Sequence, residues 1–126
     1  MCESFRADDL ELLSDIEEIE VETETLQEQP HRRTVWVVVV GSDVYVRSVN
    51  GKEGHWYQEL VAKSACSVYA DDRRIPVQGV PVSDAAIQAQ VNVAYVRKYS
   101  MYPDDVAWLV GPDVFPTTLK LQPVYP

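Results

Sequence analysis

The sequence predicts an α+β barrel, mainly β, of six antiparallel strands with helices packed around it. Three features point there. Residues 17–25 alternate, with Ile19, Val21, Thr23 and Thr25 on one side and Glu18, Glu20, Glu22 and Glu24 on the other, as in a half-buried strand. Thr34–Val40 is an almost unbroken β-branched run, as in a strand covered on both faces. Short links, Gly41-Ser42-Asp43 and Asp71-Asp72-Arg73-Arg74, join consecutive strand-like runs into hairpins. An open six-stranded sheet would leave two edges exposed, a problem that closure removes.

The elements follow in order. Residues 5–14 place Leu10 and Leu13 three apart behind early acids, which predicts a short helix. The strand 17–25 comes next, and its glutamate row would keep a sheet edge soluble. Leu26–Pro30 forms a turn into the strand Thr34–Val40, which returns as Val44–Val49. The Thr34–Val40 run would be buried by helices, by the barrel interior or by a second subunit. Asn50-Gly51-Lys52-Glu53 has the form of a capping box, predicting a short helix to about Lys63 with Trp56, Tyr57, Leu60 and Val61 on its apolar side. Ala65–Ala70 and Arg74–Val82 form a second hairpin, in which Pro76 and Pro81 mark an edge or an end. Ser83 or Asp84 caps a longer helix to about Tyr99, carried by Ile87, Val91, Ala94 and Tyr95. Residues 102–112 are irregular around one helical turn at Val106–Leu109, and Thr117–Gln122 is the last strand.

At 126 residues the expectation is one domain, 1–126, with a helical arm at 1–16 and the barrel at 17–126. The net charge is −9, but it is not evenly spread. Residues 1–30 carry eleven acids and one base, and the rest carries nine acids and ten bases. An acidic chain of this kind is not a general nucleic-acid binder. No apolar run approaches the ~20 residues of a membrane span, and the N-terminus lacks a basic-then-apolar leader. A cytoplasmic protein is expected. Cys2 and Cys66 read as free thiols. With His31 and His55 the only histidines, no metal site is expected. The acid pairs Asp71-Asp72 and Asp104-Asp105 read as turn residues. Tyr95 and Tyr99, four apart, read as packing. There is no HExxH, Walker loop or Rossmann fingerprint, so any chemistry would come from a cofactor.

The string TVWVVVVGSDVYVRSVNGKEGHWYQEL at 34–60, with AYVRKY and TTLKLQP later, resembles an uncharacterised bacterial family within the FMN-binding split-barrel superfamily. That superfamily includes pyridoxamine-phosphate oxidases, heme-handling relatives and deazaflavin-dependent nitroreductases. The resemblance spans about Phe5 to Pro123. It implies a six-stranded split β-barrel, a homodimer with two flavin sites between subunits, and FMN or a deazaflavin as cofactor. By the same resemblance, Arg33 opens the second strand, Thr34–Val37 pass the ring, and the phosphate sits on Arg33, Arg47, Ser48 and Lys52, with Gly51 in the loop that binds it. The turn Leu26–Pro30 lacks the Gly-Lys-Ser-Gly that many deazaflavin relatives carry there. Elementary physics agrees about Gly51–Gly54: free N–H groups at a helix start, a lysine and a side-chain-free backbone suit an anion. Trp36 is either a pocket wall or interface core, and Trp56 either stacks on a ring or anchors its helix. The functional expectation is a flavin- or deazaflavin-dependent oxidoreductase with a small acceptor. The alternative is a non-enzymatic homodimer binding another small ligand or a protein partner.

Overall fold

The computed structural model describes residues 5–24, 30–48, 57–58, 65–112 and 114–124. Among them, helix α1 (Ala7–Asp15) precedes strands β1 (Ile19–Glu24), β2 (Pro30–Val35), β3 (Val37–Val40) and β4 (Asp43–Val46). Then come β5 (Ala65–Ala70), β6 (Arg73–Pro81), helices α2 (Ala85–Lys98) and α3 (Pro103–Leu109), a 3-10 turn at Phe115–Thr117 and β7 (Leu119–Pro123). No helix among the described residues is long and apolar enough to cross a membrane.

The strands form one antiparallel sheet of seven, not six, in the order β2-β1-β5-β6-β7-β4-β3. The extra strand comes from Thr34–Val40, which is two strands separated by Trp36. β2 pairs with β1 at one end of the sheet, and β3 pairs with β4 at the other. Two strands joined by one residue lie at opposite ends of the order only if the sheet curls round until those ends approach. The result is a nearly closed barrel. A break at Trp36 is invisible in a run whose every residue favours strands.

Alternation then fills two cores. Val37, Val44 and Val46 point into the barrel with Ile19, Val21 and Leu119. Val38 and Tyr45, their neighbours, point outward onto Val91, Tyr95 and Tyr99 of the α2 segment and Leu109 of α3. The Val-rich run is therefore covered by the barrel interior and by helices. Phe5 and Leu13 of the N-terminal arm join the inner core, and Arg73 bonds Asp9 (2.6 Å) and Asp8 (3.1 Å) to pin α1 to β6. That guanidinium holds the Asp8 carboxyl below its usual range.

Two positional expectations are corrected. β1 is not an edge; it lies between β2 and β5. Its acids are a cross-strand ladder: Arg32 binds Glu22 (2.9 Å) and reaches Glu20 (3.9 Å). Arg32 also lies 3.8 Å over the Tyr69 ring, and the Tyr69 hydroxyl donates to Glu22 (3.3 Å). Such half-exposed pairs contribute about 0.2–1 kcal/mol each. β6, too, is internal. Pro76 is tolerated because it lies beyond the last β6–β7 pair, Val77 with Pro123, where only its carbonyl is used, accepting from Val124 N–H (2.8 Å). Pro81 ends the strand, as expected. Residues 26–29 of the Leu26–Pro30 turn lie outside the described residues, and Pro30 opens β2. The helix expected after β4 falls outside them except at Tyr57 and Gln58, which are helical.

α2 starts where the sequence says. The Asp84 carboxylate accepts from Ala86 N–H (2.8 Å) and Ile87 N–H (3.1 Å). Replacing Asp84 with Ala should lower stability by about 1 kcal/mol, read as a lower urea midpoint at unchanged slope.

Candidate ligand site at the end of strand β4

β4 ends at Val46, and Arg47 and Ser48 follow it under α2 and the 3-10 turn. Arg47 is 2% exposed. Its Nε donates to Thr118 Oγ1 (2.9 Å), Nη1 to Asn92 Oδ1 and the Leu109 carbonyl (2.8 Å), and Nη2 to Gln88 Oε1 (2.6 Å) and the Gln88 carbonyl (3.3 Å). These are all five guanidinium donors. Burial lowers the Arg47 pKa. Gln88 is equally committed: its Nε2 donates to the Val82 and Phe115 carbonyls (3.1 and 3.0 Å), and its Oε1 also accepts from Thr118 (2.7 Å). Arg47 thus ties β4, α2, α3 and the segment before β7 together. To hold a phosphate, the role that the resemblance implies for it, Arg47 would have to exchange one of these bonds.

Ser48 differs. Its N–H donates to Thr117 Oγ1 (3.1 Å), but its buried side-chain oxygen has no partner among the described residues. A buried hydroxyl left unpaired costs about 1–3 kcal/mol, so a ligand atom there would be well received.

Trp36 sits at the break between β2 and β3, half-buried. It stacks on Tyr99 with centroids 4.0 Å apart and planes 1° from parallel, and Tyr102 tilts against it at 5.5 Å. The backbone beside it is satisfied from α2 and its end. The Tyr95 hydroxyl donates to the Trp36 carbonyl (3.4 Å), and Val37 N–H donates to the Tyr99 hydroxyl (3.0 Å). Tyr99 donates in turn to the Glu17 carbonyl (2.7 Å). Lys98 Nζ donates to the Val37 (2.7 Å) and Leu13 (2.9 Å) carbonyls, and burial pulls its pKa down to about 8. Arg33 and Thr34 are exposed on β2, and Arg33 donates to the Arg32 carbonyl (3.3 Å). Gly51, Lys52 and Trp56 lie outside the described residues. Arg47 and Ser48 follow one another at the end of β4, and Arg33, Thr34 and Trp36 lie along one stretch of chain.

The model of the family described as "Uncharacterized protein conserved in bacteria (DUF2255)" matches residues 9–121. The chain belongs to this family. No curated protein matches it in sequence. Several solved structures share its fold at low identity. The heme storage protein HutZ from Vibrio cholerae has a TM-score of 0.71 at 13% identity, covering 98% of this chain and 93% of its own. A pyridoxamine 5′-phosphate oxidase-like protein from Listeria innocua has 0.61 at 18%, covering 93% and 90%. An F420-H2 dependent reductase has 0.60 at 13%, covering 84% and 93%. These are split-barrel proteins, and the family's chain here has that fold.

Sequence reading missed Gln88, Asn92 and Thr118, which complete the Arg47 network, and Thr117, which accepts from Ser48 N–H. A signal existed: Gln88 and Asn92 are four apart on the face of α2 that also carries Val91 and Tyr95. Polar residues there imply a buried polar partner. Among the described residues no group of His, Cys, Asp and Glu could hold a metal. Burial pushes the Cys66 thiol up to about 12, so it is not a nucleophile near neutrality.

Arg47→Lys keeps the charge but loses the planar fork, and should cost at least about 2 kcal/mol by chemical denaturation. Iodoacetamide at pH 8 should leave Cys66 unmodified in the folded protein and alkylate it in denaturant, read by peptide mass.

Proposed function

We propose that this chain binds a flavin-type cofactor, FMN or a deazaflavin, between two copies of itself and works as a split-barrel oxidoreductase. One observation carries the reading: the buried Ser48 hydroxyl at the end of β4, which has no partner among the described residues, three positions before Gly51 of the glycine-and-lysine segment Gly51–Gly54. A phosphate oxygen would satisfy that hydroxyl, and the Gly51 backbone and the Lys52 ammonium would add an N–H and a charge. Arg33 is the further cation of the set and Thr34 a further hydroxyl. Arg47 stays with the fold. The shared fold with an F420-H2 dependent reductase and a pyridoxamine 5′-phosphate oxidase-like protein supports the class without fixing the ligand.

The bound ring would accept or give up hydride, and the chain's own task would be to orient it. Trp36, held rigid by its stack on Tyr99, offers a fixed aromatic wall at the β2–β3 break. Trp56 is the second ring in the proposed set. No described residue forms a nucleophile–base pair, so the acceptor would be chosen by shape and by the cofactor's potential.

A second reading has its own support. Arg47, the cation that the resemblance assigns to phosphate, is wholly committed to the protein, which favours a non-enzymatic barrel for another ligand. Titration decides between them. FMN fluorescence should be quenched saturably by the purified chain, and Ser48→Ala and Lys52→Ala should each weaken binding roughly tenfold, about 1.4 kcal/mol. No quenching by FMN and no thermal stabilisation by FMN, FAD or a deazaflavin far above any relevant Kd would leave the second reading.

A further inference from the structure

Arg47 presents a charge imbalance. It is a buried cation, yet every group that it bonds is neutral: two carboxamide oxygens, a hydroxyl and two carbonyls. No carboxylate among the described residues comes within ion-pair distance of it. The rings of Phe115 (4.9 Å) and Tyr95 (5.8 Å) face it, which compensates a cation only in part. Among the described residues, hydrogen bonds satisfy its donors and no acid neutralises its charge, an arrangement buried charges rarely keep.

A pocket of about 610 Å³ lies on the other side of this network. Gln88, Asn92 and Phe115, all of which touch Arg47, also line it, together with Val82, Ser83 and Ala85. Its volume suits a small molecule. Gln88 has nothing left to give. Asn92 does: Arg47 holds its Oδ1, which fixes the amide's orientation and leaves the Nδ2 hydrogens without an acceptor among the described residues. Its amide is polarised by the charge behind it. Apart from Ser83 the remaining walls are apolar.

We infer that this pocket is a subsite for a small monocarboxylate with an apolar or aromatic body. The carboxylate would accept from Asn92 Nδ2 and the Ser83 hydroxyl and neutralise Arg47 through the amide, while the body would lie against Phe115 and Val82. One unneutralised positive charge matches one negative charge, and the apolar walls favour a carboxylic acid over a phosphate ester. The inference does not depend on flavin binding.

The test uses sodium benzoate at constant ionic strength, with benzamide as neutral isostere, followed by thermal unfolding of the full chain. Benzoate should raise Tm saturably and benzamide should not. Ala85→Trp fills the pocket mouth without touching Arg47 and should abolish the benzoate response. Asn92→Asp supplies the missing carboxylate internally, so it should raise the Tm of the free protein and weaken benzoate at least roughly tenfold. No saturable response to benzoate overturns the inference. So does a response that survives both substitutions, or an Asn92→Asp protein with a lower Tm than the parent.

Discussion

The barrel depends on a single lapse in a strand. At Trp36 the chain leaves one end of the sheet and enters the other, and the backbone groups released there must find partners within a buried layer. α2 and its end supply them: Tyr95 serves the Trp36 carbonyl, Tyr99 the Val37 N–H, and Lys98 the Val37 carbonyl. The Trp36 ring stacks on Tyr99 in the same place. Without these three side chains the break would leave unpaired polar groups, each costing about 1–3 kcal/mol. The tyrosines that look like ordinary packing in the sequence are the groups that let the barrel curl.

Arg47 is the second knot, and it explains why α2 is not simply amphipathic. Gln88 and Asn92 sit on the inward face because the helix covers a guanidinium as well as the outer core. The same arginine fixes α3 through Leu109 and the approach to β7 through Thr118. Three segments far apart in sequence thus converge on one planar fork, a geometry that lysine cannot reproduce.

The acidic segment also acquires a role. Glu20 and Glu22 of β1 do not guard an edge; they form a ladder with Arg32 and Tyr69 across three adjacent strands. The excess negative charge is therefore partly internal to the sheet, and the segment around Ser48 lies in the part of the chain where acids and bases nearly balance.

By itself the sequence determined the local grammar. Alternation marked β1, the β-branched run marked buried strands, turn residues marked two hairpins, and Asp84 marked the start of α2, because each is set by neighbours a few residues away. It also marked Arg33, Thr34, Trp36 and Ser48 as candidates, and these stand along the β2–β3 stretch and at the end of β4. Only the tertiary structure decided the seventh strand, the internal position of β1 and β6, and the groups that Arg47 bonds. A break at Trp36 matters only once both sheet ends meet, and an edge exists only relative to a neighbour. An arginine is a ligand or an anchor according to which carbonyls and amides the fold brings to it, and those arise from residues 41 to 71 positions away in the chain.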